Sequence, residues 1–110
     1  MSPFRFLRLE KDGPIAVLTI ARPERMNALD PTVLSELEVA IGELNHDDSI
    51  RVAILTGEGK AFVAGADISA MQTMEAGDAE AFAAMGHRVF DAIERARIPI
   101  IAAVNGFALG

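Results

Sequence analysis

Val52-Ala53-Ile54-Leu55-Thr56-Gly57-Glu58-Gly59-Lys60-Ala61-Phe62-Val63-Ala64-Gly65-Ala66-Asp67-Ile68 joins a short apolar run, a glycine-rich turn and a stretch of small side chains that ends on an aspartate. The run from Arg51 to Leu55 is bounded by turn signals, Asn45-His46-Asp47-Asp48 before it and Thr56 to Lys60 after it, and so reads as a buried strand. Ala61 to Asp67 is small and apolar, which lets backbone approach a ligand closely. Asp67 is placed to cap a short helical turn through Ile68, Met71 and Met74. If Ala66 lies at that helix N-terminus, its N–H is an orphan donor at the positive end of the helix dipole, able to hold a developing oxyanion. The plain alternative is a tight turn in which Gly65 and the alanines only permit close packing.

Outward from this segment, strands and helices alternate. Phe4 to Leu9 alternates apolar and charged residues, Lys11-Asp12-Gly13-Pro14 supplies turn chemistry, and Ile15 to Ile20 is a second β-rich run, which predicts a hairpin. Arg22-Pro23-Glu24-Arg25-Met26-Asn27 has no periodicity and reads as an exposed loop of the kind that often holds ligands. Asp30-Pro31 opens a helix, with an N-cap followed by proline at the first helical position. Leu29 and Leu34 are spaced to staple that end. Val33, Leu34, Leu37, Ala40, Ile41 and Leu44 form one apolar face through about His46.

Beyond the central segment, Gly77-Asp78 restarts the chain as a longer helix with Phe82, Met85, Val89, Ile93 and Ala96 on one face. Ile98-Pro99 is expected to end it before a strand from Ile100 to Val104, followed by an Asn105-Gly106 turn. The order is hairpin, helix, strand, loop, helix, strand. Strands joined through helices predict an α/β fold with parallel, right-handed crossovers in a single domain over residues 1–110. The second strand-to-helix unit echoes the first about fifty residues on, in hydrophobic pattern more than in identity.

Composition narrows the function. With 51% hydrophobic and 24% charged residues in 110, the chain reads as a globular domain. No apolar run approaches the roughly 18 residues of a membrane span, and the first residues lack a signal-peptide pattern, so a cytoplasmic location without a membrane span is expected. The absence of cysteine removes disulfides, thiolate nucleophiles and Cys-based zinc sites, and two isolated histidines predict no metal site. A net charge of −6 argues against a nucleic-acid partner, though not against a small anionic ligand met by a few local cations and backbone donors. No Gly-x-Ser-x-Gly elbow, P-loop, His-Glu-x-x-His or dinucleotide fingerprint is present. His46 and His87 read as surface or half-buried residues rather than general bases. Glu75, Asp78 and Glu80 are explained by capping and a solvated helix face.

Ala61-Phe62-Val63-Ala64-Gly65-Ala66-Asp67-Ile68 closely resembles the first oxyanion-loop signature of the enoyl-CoA hydratase/isomerase (crotonase) family. Three further segments resemble that family in order and spacing: Arg22-Pro23 through Asn27-Ala28-Leu29, Val52 through Gly57, and Pro99 through Gly110, which carries Asn105-Gly106-Phe107-Ala108-Leu109-Gly110. Together they span nearly the whole chain. The resemblance implies a spiral of repeated β-β-α units, incomplete in this chain, and an acyl-CoA thioester substrate whose enolate-like anion is held by two backbone N–H groups. The first donor carries over to Ala66. Ala64 matches a position whose backbone lies against the CoA adenine, Gly65 belongs to the same loop, and Asp67 and Ile68 shape the turn and the start of the acyl pocket. Arg25, Met26 and Ala28 fall on the loop lining CoA, where Arg25 reads equally as a phosphate contact or a solvated cation. Ser69 departs from the lysine that several hydratases carry. Met71, Met74 and Met85 are adaptable enough to line an acyl pocket, with core packing the simpler reading for Met85.

By the same resemblance, the second oxyanion donor falls on the residue after Gly110 and the hydratase glutamates further on, so a longer enzyme is expected and the 110 residues alone are expected to be inactive. The implied activity is hydration of a 2-enoyl-CoA, with no cofactor because CoA is part of the substrate. Double-bond isomerisation by a family member is the enzymatic alternative, and a non-catalytic acyl-CoA-binding or assembly fragment the alternative of another class. Family analogy implies a homo-oligomer, a trimer or hexamer. An incomplete spiral is expected to leave the strand from Ile100 to Val104 and the apolar tail Phe107-Ala108-Leu109 without cover.

Overall fold

Alternation in Ile15 to Ile20 sends Ala16, Leu18 and Ile20 to one face, where all three are buried. In the computed structural model, which describes residues 3–108, this run is the second strand of the main sheet. Strand β1 (Leu7–Asp12) and strand β2 (Ile15–Ile20) form an antiparallel hairpin, with Asp12 opposite Ile15 and Gly13 at φ 59 making the tight turn. Strand β3 (Val52–Gly57) lies parallel to β2, and β5 (Ile100–Ala102) parallel to β3, giving the order β1-β2-β3-β5. Helix α1 (Pro31–Asn45) connects β2 to β3, and α3 (Ala76–Glu94) leads from the central loop towards β5. The predicted α/β class with parallel strands is the class observed.

Helix α1 forms where its sequence predicts. Asp30 is extended at φ −117 and its Oδ1 accepts from Val33 N–H at 2.8 Å, while Pro31 occupies the first helical turn. The six apolar positions from Val33 to Leu44 are all buried, and they pack with Leu7, Leu18, Ile20 and Ala53 of the sheet and with Phe82 and Val89 of α3 in one core. Met85, Ile93 and Ala96 are partly buried against that core.

The boundaries that differ do so for identifiable reasons. The first strand begins at Leu7 rather than Phe4 because the Arg5 and Phe6 N–H groups donate to the Glu36 carboxylate on α1, at 2.7 Å each, instead of to a ladder. Helix α3 starts at Ala76 and stops at Glu94, five residues before Pro99, so proline does not end it. The carbonyls at the end of α1 and just beyond it take up the connection instead: Arg97 N–H donates to Asn45 Oδ1, and the Arg97 guanidinium to the carbonyls of Leu44, Asn45, Asp47 and Ile50. Strand β5 closes at Ala102, two residues short of the expected Val104.

The small apolar stretch is not all loop. Strand β4 (Ala61–Val63) pairs in parallel with β6 (Phe107–Ala108), a two-stranded sheet that the sequence reading did not anticipate. Of the expected uncovered surface, Ile101 and Val104 are 56% and 58% exposed, and Ala108 is exposed while held in β6; Leu109 and Gly110 lie outside the described residues. Among the described residues, no helix is long and apolar enough to cross a membrane. Leu37 is buried between sheet and helices; Leu37→Ala is expected to destabilise the protein by about 2–5 kcal/mol, read as a lower denaturant midpoint with an unchanged m-value.

Candidate active site

Two segments, residues 22–29 after β2 and residues 57–67 from the end of β3 through β4, meet through main-chain hydrogen bonds. The first makes one 3-10 turn (Pro23–Arg25), after which Met26 and Asn27 both take left-handed backbone conformations at φ 54 and 58. Two consecutive residues there are costly for non-glycine side chains and must be held by their surroundings. They are: Met26 N–H donates to Pro23 O, Asn27 N–H to Arg22 O and Ala28 N–H to Arg25 O, all at 2.9–3.0 Å.

The Asn27 side chain is wholly buried and every hydrogen bond of its amide reaches backbone. Oδ1 accepts from Arg22 N–H at 2.8 Å, and Nδ2 donates to Glu58 O at 3.0 Å and Ala61 O at 2.9 Å. From the other side Asn105 holds the same turn: Oδ1 accepts from Gly57 N–H at 3.1 Å, and Nδ2 donates to Gly59 O and Ala61 O at 3.0 and 3.2 Å. The close approach requires glycine at 57, where a Cβ would run into the Ala61 and Phe62 carbonyl oxygens.

Downstream, the loops zip together. Ala64 N–H donates to Met26 O at 3.2 Å, Leu29 N–H to Gly65 O at 2.8 Å, and Asp67 N–H to Leu29 O at 2.7 Å. The last two bonds make a parallel bridge between Leu29 and Ala66, with Gly65 at φ 87 turning the chain into it. In such a bridge the central residue's own N–H and C=O point away from the partner strand. Ala66 is accordingly exposed, and its N–H donates to no acceptor among the described residues. Helix α2 (Ile68–Gln72) follows, with Asp67 as N-cap, its Oδ1 accepting from Ala70 N–H at 3.2 Å. Ala66 thus lies one residue before the cap, not at the helix start.

Asp67 is buried, which opposes its ionisation, yet the hydrogen bond from Arg22, the Ala70 N–H and the charges of Arg22 and Arg25 together hold its carboxyl below the usual range. Arg25 itself is exposed and its side chain makes no hydrogen bond or ion pair among the described residues. Ala28 is buried and Ala64 half-buried.

Gly65 and Ala66 are among the residues that line an apolar cleft of about 620 Å³, together with Leu29, Phe62, Val63, Met71, Phe82 and Phe90. His87, read from sequence as a non-catalytic helix residue, is exposed and lies on the wall of this cleft. Of the three methionines, Met71 lines the cleft, whereas Met74 and Met85 pack against the core. Ile68 is 70% exposed and stands outside the cleft lining. The structure therefore brings Ala64, Gly65, Ala66 and Asp67 together with Met26 and Ala28, and leaves Arg25 and Ile68 exposed outside the cleft lining. Sequence reading missed Asn27, Arg22 and Asn105 as the groups that hold the loops; the one hint was an asparagine enclosed by Met26, Ala28 and Leu29. Among the described residues, no three His, Cys, Asp or Glu side chains are grouped to hold a metal.

The parallel α/β sheet and the two bridged loops at its end are the arrangement of a crotonase-type fold. The chain belongs to the enoyl-CoA hydratase/isomerase family, whose sequence profile matches residues 10–110. It is 50% identical over 103 residues to the short-chain-enoyl-CoA hydratase of Clostridium acetobutylicum and equally to the crotonyl-CoA hydratase of Syntrophomonas wolfei, in both cases over 93% of this chain and 40% of the relative. The crystal structure of an enoyl-CoA hydratase from Bacillus anthracis superposes with a TM-score of 0.94 at 30% identity, over 96% of this chain and 42% of that one. The chain spans about 40% of the length of these curated relatives.

Asn27→Asp would set a buried carboxylate against the Glu58 and Ala61 carbonyls, and is expected to destabilise the protein by about 2–5 kcal/mol at pH 7, with partial recovery in mild acid, as read from denaturant midpoints across pH. For Asp67 the depressed native pKa means its stabilisation is complete above the ordinary carboxylate range and is lost as pH falls through the native value. Asp67→Asn should therefore lower stability at pH 7 and flatten that part of the acid limb.

Proposed function

We propose that this protein is an enoyl-CoA hydratase that adds water across the double bond of a short 2-enoyl-CoA. The observation that carries the reading is the Ala66 N–H, turned away from its partner segment by the Leu29 bridge and set in the lining of an apolar cleft, in a chain half identical to two hydratases of short enoyl thioesters. In this reading the acyl tail enters the cleft and the thioester oxygen takes a hydrogen bond from Ala66 N–H. Attack of the water oxygen at C3, as a general base takes one of its protons, moves the C2=C3 π electrons onto the thioester oxygen, and the resulting enolate collapses as C2 takes a proton, so that H and OH have been added across the bond. A donor already aimed at the oxyanion contributes because it does not reorganise as charge develops. Met26, Ala28 and Ala64 provide backbone against which the CoA moiety lies, and the exposed cation Arg25 is free to meet its phosphates. No separate cofactor enters. Family analogy makes the working enzyme a homo-oligomer, a trimer or hexamer.

The test is hydration of crotonyl-CoA by the full-length protein, followed as loss of the conjugated enoyl absorbance. Turnover is expected, and its absence together with conversion of a 3-enoyl-CoA to the conjugated isomer would assign isomerisation instead. Ala66→Pro, which deletes the N–H, should lower kcat by about a hundredfold to a thousandfold. Ala66→Gly keeps the donor and should stay within about tenfold of wild type, its cost limited to a looser backbone.

A further inference from the structure

The Arg22 guanidinium lies across the Leu29 to Ala66 bridge. One terminal nitrogen, Nη1, donates to Ala28 O at 3.0 Å on one segment and to Asp67 Oδ2 at 2.8 Å on the other, so a single group ties the residue before Leu29 to the residue after Ala66. Nη2 pairs with Asp30 Oδ2 at 3.3 Å, joining the cap of α1 to the cap of α2. The Phe6 ring covers the guanidinium at 5.2 Å, and the side chain is only 11% exposed. Nε is buried without a hydrogen-bond partner among the described residues. An arginine serving only solubility would stay in water; burial with an orphan donor carries a cost that this arrangement must offset.

We infer that Arg22 is a positioning residue for the oxyanion donor: by stapling Ala28 and Asp67 it sets the direction of the Ala66 N–H. Neither carbonyl nor carboxylate alone imposes this, because each belongs to a different segment. A lysine in the same place would carry the charge but not the fork that reaches Ala28, Asp67 and Asp30 at once. The inference rests on the hydratase reading and adds to it a group that touches no part of the substrate.

In the full-length protein, Arg22→Met and Arg22→Lys would be compared with wild type for crotonyl-CoA kcat and KM, for thermal unfolding, and for the red shift of a bound aryl-conjugated enoyl-CoA, which reports polarisation of the thioester carbonyl. A misaimed donor should lower kcat about tenfold to a hundredfold with KM within a few-fold. The red shift should shrink in step, with Arg22→Lys intermediate. Folded variants that keep the wild-type kcat and red shift, or that lose activity through KM alone with the red shift intact, would overturn the inference. Should Arg22→Met fail to fold, Arg22→Lys decides by the same two readouts. Wild-type protein with neither turnover nor red shift would instead reject the hydratase reading, and the inference with it.

Discussion

The enclosed amide of Asn27 is the contact on which the site depends. Its Nδ2 holds the Glu58 and Ala61 carbonyls and its Oδ1 the Arg22 N–H, so the two loops cannot separate without leaving several buried polar groups unpaired. Each such group costs about 1–3 kcal/mol, more than the net worth of a hydrogen bond exchanged with water. That asymmetry explains how two consecutive left-handed residues, Met26 and Asn27, are kept in place: the strain is local and the network that opposes it is spread over both loops. Asn105 grips the same turn from its other side, so the segment that follows β5 also has a stake in its shape.

The sheet and helices supply the platform. Parallel alignment of β2 and β3 brings both loops to the same end of the sheet, where the crevice of an open α/β fold forms. Helix α1 leaves the first loop through Asp30 and α2 leaves the second through Asp67, and both caps converge on Arg22. Helix starts and loop geometry are thus coupled through one cation rather than set separately. The apolar lining of the cleft is the continuation of the core: Leu29 and Phe82 belong to both.

Much of this was legible in the sequence where the signal is local. The six apolar positions of α1, its Asp30-Pro31 start and the Asp67 cap follow from spacings of three and four residues, and they form as read. The oxyanion-loop resemblance rested on a contiguous motif, and family membership follows from matches along nearly the whole chain. By contrast, the roles of Arg22, Asn27 and Asn105 depend on partners 31 to 48 residues away, apart from bonds within their own loop. In sequence Arg22 and Asn27 are polar residues of a polar loop, and Asn105 is half of an Asn-Gly turn signal. The pairing of β4 with β6 was hidden for the same reason, since runs of three and two residues are too short to carry a periodic pattern.

The sequence by itself determined the α/β class, the apolar faces, the helix caps and the family, because each is written in neighbouring residues or in a motif whose order is linear. Only the tertiary structure decided that Asn27 is interior, that Arg22 staples the bridge, that Ile68 faces solvent while Met71 faces the cleft, and that the Ala66 N–H is turned away from its partner segment. Those are properties of burial and direction. They arise when distant segments share a low-dielectric contact in which an unpaired polar group is expensive, a condition that no single stretch of chain can impose alone.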